Sequence, residues 1–400
     1  MNNKADAVVI GAGPAGLFSA LTMARKGLDV IACEEHKEVG IPSHCAGHIS
    51  IKGLKQFGIN LPSSVIENEI RGAIFYSPSG YEFKLRVASP ITFVINRALF
   101  DQHLARLAEN AGARILLETK VQSLQSANGF TTGVTLRDGE KLSSRIVVDA
   151  EGVASTFLKQ VGLRQFDRRF VVGAVQGEVE HVDDVENDLV EVYPGQRFAP
   201  SLFAWIIPRR NGSAKIGLAT KTGNPREHLK NFLQTNPVAK KKLNFSKVEN
   251  LSYHLIPLGG PISRTYSSGF LAVGDAASQV KPTTGGGVIM GLTCARIAGE
   301  TASQAMRQND FSQSFLARYQ SAWKNEISFD MMVMKQIRAM LDDLSDVKLD
   351  KIIKLCSQLQ ISESLRKVRD IDFQGRGLLP IIWSPRSWAV FFYFILASIL

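Results

Sequence analysis

Cysteine is scarce in this chain. Only Cys33, Cys45, Cys294 and Cys356 occur in 400 residues, and no two stand in CxxC spacing. That excludes a disulfide framework and a zinc or iron–sulfur cluster, and it fits a reducing compartment. The seven histidines show no HExxH-type spacing, so no metal is expected. There is no nucleic-acid-binding motif, no internal repeat and no low-complexity tract. Nor is there an apolar run of the ~20 residues that a bilayer span requires. WAVFFYFILASIL, at Trp388–Leu400, is too short, and its upstream extension meets Arg386, Pro385 and Pro380. It reads as a monotopic membrane contact with Trp383 and Trp388 at headgroup level, as a wall of a lipid cavity, or as a buried terminal helix. Met1-Asn2-Asn3-Lys4 runs straight into an apolar strand and leaves no room for a signal peptide. A cytoplasmic protein, peripheral to the membrane, is expected.

At 400 residues the chain exceeds what one core usually serves, so two to three domains are expected. A hydrophobic content of 45% rules against disorder. The net charge of +10 is dispersed, with Lys240-Lys241-Lys242 the densest run, and suits an anionic lipid surface better than nucleic acid.

Two glycine-bearing segments carry the chemistry. Ala7–Ile10 is a short apolar, β-branched run that reads as a buried parallel strand. Gly11, Gly13 and Gly16 follow and lead into a helical stretch from Ala15 to Lys26. Gly11 permits the turn, Gly13 admits a pyrophosphate to the backbone, and Gly16 lets helix and strand approach. A second strand, Asp29–Cys33, ends at Glu34, about 20 residues past the glycines, where a carboxylate can accept from ribose hydroxyls. Glu35 is the alternative, since strand ends are uncertain by about two residues.

The second segment is FLAVGDAASQVKPTTGGGVIMGL, from Phe270. A strand over Phe270–Gly274 ends in Asp275, which can hold ribityl hydroxyls or a phosphate-bound water. Gly285, Gly286 and Gly287 then precede a helix from Val288 to about Met306. Bare backbone there would let a flavin ring lie close, with the positive helix end toward its N1/C2=O edge. One site for an ADP half and one for a flavin half together imply FAD.

GAGPAG, Glu34, INRALFDQHL and VGDAASQVKPTTGGG resemble the flavoproteins that include aromatic hydroxylases and geranylgeranyl reductases. GIPSHCAGHIS and FAWIIPRRNGSAKIGLA favour the geranylgeranyl reductase family, of the archaeal digeranylgeranylglycerophospholipid reductase type. The similarity runs from Ala7 to about Asp372. It implies FAD contacts at Ala15, Glu34, Cys45, Ala46, Gly47, Arg97, Val121, Asp275, Gly287 and Val288, and a substrate cavity lined by Phe203, Trp205, Ile207 and Pro208. Three positions depart from the family pattern. Phe203 replaces a usual Tyr, Ile207 a usual Phe, and Ala219 the second glycine of a pair, so no phenol can donate a proton at position 203.

The expected fold is α/β, an FAD-binding Rossmann-like domain of the glutathione reductase/aromatic hydroxylase type with an antiparallel β substrate domain and a C-terminal helical part. The FAD domain is assigned to 1–70, 90–165 and 265–305, the sheet domain to 71–89 and 166–264, and the helical part to 306–400. Within these, RGAIFY and YEFKLR read as a hairpin, Arg97–Gly112 as a helix, Ile146–Asp149 as a strand after an Asp138-Gly139 turn, and Pro225–Asn236 as a helix.

The implied reaction saturates isolated C=C bonds of geranylgeranyl chains, so a proton must join the carbon that does not receive hydride. Cys45 and His48 are the candidate donors. Cys45 is alternatively a small packing residue and His48 a backbone ligand. No second GxGxxG marks a pyridine-nucleotide domain, so the electron donor is external: NADPH, ferredoxin or another carrier. An FAD monooxygenase is disfavoured by Glu151-Gly152 in place of Asp-Gly and by Leu158 near the expected Arg. A membrane-docked electron carrier to quinone and a non-enzymatic lipid-binding module are further alternatives.

Overall fold

The computed structural model describes residues 3–243, 247–366 and 370–382. The chain divides into two compact units. One comprises Arg97–Arg169, Pro257–Met331 and the N-terminal stretch to Ser43; the other comprises His44–Asn96, Phe170–Ile256 and the chain from Met332 onward.

The first unit is built on a six-stranded sheet. Its order is Tyr266–Ser267, Phe270–Ala272, Ile146–Asp149, Ala7–Ile10, Val30–Cys33, Arg114–Leu116. All neighbours are parallel except the short Tyr266–Ser267 edge. The central strands AVVI, VIAC and IVVD are buried at every position, as a parallel sheet covered on both faces requires. Helices Pro14–Ala24 and Val288–Gln308 begin at Gly13 and Gly287 and cross closely. A Cβ on Gly299 would lie 2.7 Å from Thr22 Cβ, and one on Gly274 would lie 2.9 Å from Ala15 Cβ. A three-stranded meander, Val121–Ala127, Phe130–Leu136 and Lys141–Ser143, turns at Asp138-Gly139 as expected.

The second unit holds a seven-stranded sheet in the order Glu249–Pro257, Val171–Val179, Ala214–Thr220, Ala199–Pro208, Leu189–Gly195, Gly72–Tyr76, Glu82–Arg86. It is not antiparallel throughout, because Leu189–Gly195 pairs in parallel with Gly72–Tyr76. Parallel neighbours need a long crossover, and the chain between Tyr76 and Leu189 supplies one. Alternation along the strands separates two faces. Tyr193, Ala204, Ile206, Ala214, Ile216 and Leu218 pack against Leu229, Phe232 and Leu233 of helix Pro225–Thr235. Val190, Val192, Trp205 and Ile207 point the other way, toward Ile70, Val94 and Ala46.

The division departs from the expected boundaries in several places, and the expected third part, 306–400, is split between the two units. Residues 44–70 and 90–96 fall with the larger sheet, since His48–Ser50, Thr92–Ile95 and Ile66–Ile70 form a small sheet whose Val94 and Ile70 share a core with Val190 and Ile207. Residues 306–331 fall with the nucleotide unit. There Tyr319 OH donates to Ala272 O at 2.8 Å and Trp323 Nε1 to Thr265 Oγ1 at 2.9 Å. Trp383 and the Trp388–Leu400 segment lie outside the described residues. Among the described residues, no helix is long and apolar enough to cross a membrane.

The crossing at Gly299 can be tested directly. Gly299→Ala is expected to cost roughly 1–3 kcal/mol by overpacking, read as a lower urea midpoint. An unchanged midpoint would contradict the tight helix contact.

Candidate flavin and substrate site

In the first unit the two glycine segments converge. Gly11 has φ +92°, and its amide donates to Cys33 O at 2.8 Å, so the turn is tied to the end of the second strand. A Cβ on Gly16 would lie 2.0 Å from Gly11 O, whereas one on Gly13 would meet nothing within 4 Å. Protein therefore fills the space at Gly16 and leaves it open at Gly13, directly before a helix whose first amides have no side-chain cap. Open space at an uncapped helix N-terminus suits a pyrophosphate. Glu34 reaches this turn, and its Oε2 accepts from Ala12 N at 2.9 Å. Its other oxygen accepts from His36 N at 3.1 Å. Glu35 instead pairs with Lys120 on the surface, at 2.5 Å, which lowers its pKa. Glu34, rather than Glu35, is thus the acid that reaches the glycine turn.

The second segment meets the first through Gly274 and Ala15. Asp275 follows, and its Oδ1 lies 3.0 Å from where a Cβ on Gly287 would be. Gly286 is pressed against Lys281, with Nζ 3.1 Å from its own virtual Cβ. Helix Val288–Gln308 starts here, again without a side-chain cap. Gln279 braces the loop: its Oε1 accepts from Gly274 N at 2.8 Å, and its Nε2 donates to Tyr319 OH at 3.0 Å. Tyr319 is fully buried. Val121 is buried at the start of its strand.

Arg97 begins helix Arg97–Asn110, and its guanidinium grips Asp101 with two bonds of 2.9 Å. Burial pushes the Asp101 carboxyl up, although Arg97 pulls the other way. Asp149 is wholly buried at the end of its strand, in register with Ile10. One of its oxygens accepts from Glu151 N at 3.1 Å and the other has no hydrogen-bond partner among the described residues. Burial, reinforced by the nearby Glu151 charge, raises its pKa well above the usual carboxylate range. Sequence reasoning missed Asp101, Asp149 and Gln279. Asp101 had a readable signal, an acid four residues after Arg97 on one helix face; the other two depend on tertiary neighbours alone.

In the second unit, Gly47 N donates to Cys45 Sγ at 3.4 Å, and Ala46 packs in the cluster that holds Trp205 and Ile207. The Cys45–Gly47 loop and strand Ala199–Pro208 are therefore neighbours. Phe203 and Trp205 project to the same face and meet edge to face at 6.1 Å. Gly217 makes room for the indole, since a Cβ there would lie 2.6 Å from Trp205 Cζ2. Pro208, next in sequence to Ile207, is buried with the opposite strand parity. His48 is exposed and its Nε2 lies 2.6 Å from Thr92 Oγ1. Among the described residues, no group of three or more His, Cys, Asp or Glu side chains could hold a metal.

The open Gly13 turn, the two uncapped helix starts and Glu34, all in the first unit, fit the ADP and flavin parts of FAD. Glu34→Gln is expected to weaken FAD binding roughly 10- to 100-fold, the value of a charged hydrogen bond, while Glu35→Gln leaves it unchanged; flavin fluorescence titration reads both. Asp149 gives a pH dependence. Below about pH 4 the carboxyl is protonated in both states. As pH rises the unfolded carboxyl ionises first, so stability falls by up to ~1.4 kcal/mol per pH unit until the folded group also ionises. Relative to wild type, Asp149→Asn should gain stability as pH rises, measured by urea unfolding across that range. A gap independent of pH would contradict it.

Comparison with known proteins agrees with this geometry. The model of the family described as Lycopene cyclase protein matches residues 6–342. A digeranylgeranylglycerophospholipid reductase of Methanocaldococcus jannaschii is 30% identical over 371 residues, covering 92% of this chain and 94% of the relative. A second, from Methanothermobacter thermautotrophicus, is 33% identical over 362 residues, covering 88% and 91%. The crystal structure of a geranylgeranyl bacteriochlorophyll reductase-like protein from Thermoplasma acidophilum superposes with a TM-score of 0.86 at 25% identity, covering 98% and 99%. A myxobacterial FAD-dependent halogenase shares the fold, with a TM-score of 0.68 at 16% identity and coverage of 98% and 97%. The chain belongs to the geranylgeranyl reductase family of FAD-dependent oxidoreductases.

Proposed function

We propose that this flavoprotein saturates the isolated C=C bonds of geranylgeranyl chains carried on a glycerophospholipid of archaeal type. The observation that carries the reading is the apolar sheet face of Phe203, Trp205, Ile207, Val190 and Val192, bordered by the Cys45–Gly47 loop. It is supported by relatives named for that lipid substrate and aligned over nine-tenths of the chain.

Bound and reduced, FAD supplies hydride. Gly11, Gly13, Ala15, Gly16 and Glu34 would hold its ADP half, with Arg97 and Val121 beside them. Asp275, Gly286, Gly287 and Val288 would hold the ribityl chain and ring. The aromatic and aliphatic face excludes water from the alkene and orients it, and the Phe203 and Trp205 ring faces stabilise cationic character on the substituted carbon. Of the two candidate proton donors, Cys45 sits in the loop packed against this face. His48 is exposed and committed to Thr92, so Cys45 is the better placed. Electrons come from an external donor such as NADPH or ferredoxin. The net positive charge suits peripheral contact with an anionic lipid surface, where the substrate resides.

Anaerobic incubation of the reduced protein with geranylgeranylated glycerophospholipid should give products heavier by pairs of hydrogens in mass spectra. Oxygenated product under air would favour a monooxygenase instead, and quinone reduction with intact lipid an electron carrier. Unchanged lipid under all conditions would overturn the proposal.

A further inference from the structure

Within the first unit, most of the bonding capacity of Glu34 is already committed. Its Oε2 accepts from Ala12 N at 2.9 Å, and its Oε1 accepts from His36 N at 3.1 Å. The same Oε1 lies 2.5 Å from His36 Nδ1. A carboxylate only accepts, so that ring nitrogen carries the proton. A carboxylate offers roughly four lone-pair positions. The chain's own donors take three of them, two on Oε1 and one on Oε2. A ribose brings a pair of adjacent hydroxyls. Both cannot bond Glu34 while the imidazole keeps its place.

The backbone around the pair is pinned and the ring is not. Glu34 N donates to Leu116 O at 2.9 Å, Thr119 N to Glu34 O at 2.7 Å, and Glu118 N to His36 O at 2.9 Å. The His36 side chain is 47% exposed, whereas that of Glu34 is only 12% exposed. Turning the imidazole out toward water therefore uncovers Oε1 without moving the strand end. Lys120 does not compete for this carboxylate, because it pairs with Glu35.

We propose that His36 is a gate on nucleotide binding: its Nδ1 and a hydroxyl of the adenosine ribose compete for Oε1 of Glu34. The inference rests on the reading that the glycine turn takes the ADP half of FAD, and it adds a residue that opposes that binding. A protonated ring holds the carboxylate more strongly, since both partners are then charged. Coenzyme affinity accordingly rises as pH rises through the imidazole range. The other charged groups in this neighbourhood are Glu35 with Lys120 and Arg137, Asp101 with Arg97, Glu118 on the adjoining turn, and Lys37 and Glu38 next in the chain. Burial raises the Asp101 carboxyl, so a variant at position 36 is needed to separate the two titrations.

The test titrates the full chain, freed of flavin, with FAD, ADP and 2′,3′-dideoxy-ADP, as wild type, His36→Ala and Glu34→Gln. At about pH 6, within the imidazole range, His36→Ala should bind FAD and ADP about two- to fivefold more tightly than wild type, the value of an exposed ion pair. Dideoxy-ADP, which has no hydroxyl to offer, should not gain. Wild-type affinity for FAD should rise by a similar factor between about pH 5.5 and about pH 8, and His36→Ala should lose that rise. If Glu34→Gln weakens ADP binding but His36→Ala binds FAD no more tightly, or tightens dideoxy-ADP equally, the gate is overturned and the nucleotide site stands. If Glu34→Gln leaves ADP binding unchanged, the nucleotide reading falls and the gate with it.

Discussion

The nucleotide-binding unit depends on backbone meeting its neighbours with no Cβ between them. At Gly16 the first helix leans onto the turn that precedes it, at Gly274 the second motif reaches Ala15, and at Gly299 the two helices touch at Thr22. These three contacts lock together segments more than 250 residues apart in sequence (Gly16 and Gly274). Each position leaves no room for even a methyl group, and each serves the same end. Two uncapped helix N-termini are held at fixed places in one unit, where their amides can meet the two halves of a dinucleotide.

Burial of charge is the second constraint, and the chain meets it in three different ways. Asp101 is neutralised by the two bonds of Arg97, and Lys215 by Glu67 and a carbonyl. Asp149 has one oxygen without a hydrogen-bond partner among the described residues, and burial raises its pKa well above the usual carboxylate range. Glu191, also fully buried, accepts from the Tyr193 hydroxyl and pairs with Lys242 at 2.6 Å. Burial disfavours the charged form, and a bonded partner of opposite charge opposes that penalty.

Much of the nucleotide unit was legible because its signals are local. Ala7–Ile10 and Ile146–Asp149 emerge with the expected bounds, since continuous apolar runs of four have few other places to go in a covered parallel sheet. Helices after Gly13 and Gly287 follow from the same glycine logic, and of the two adjacent acids it is Glu34 that bonds Ala12 N at the turn. The parallel pairing of Leu189–Gly195 with Gly72–Tyr76 was not legible, because either orientation yields the same alternation. Nor was the allegiance of residues 44–70, which have strand-like and helical signals but declare their core only through Val94 and Ile70.

The bonds around Tyr319 bear on how the coenzyme loop is held. Its hydroxyl is shared between the carbonyl of Ala272 and the amide of Gln279, and Gln279 in turn clasps Gly274. Tyr319, on helix Gln313–Asp342, thus works as a keystone for a loop that precedes it by some forty residues. Tilting that helix, or ending the chain before it, would take this partner from two buried polar groups at once, Ala272 O and Gln279 Nε2. The helical region is therefore no appendage to the flavin fold: it is part of the mould in which the second glycine motif takes its shape.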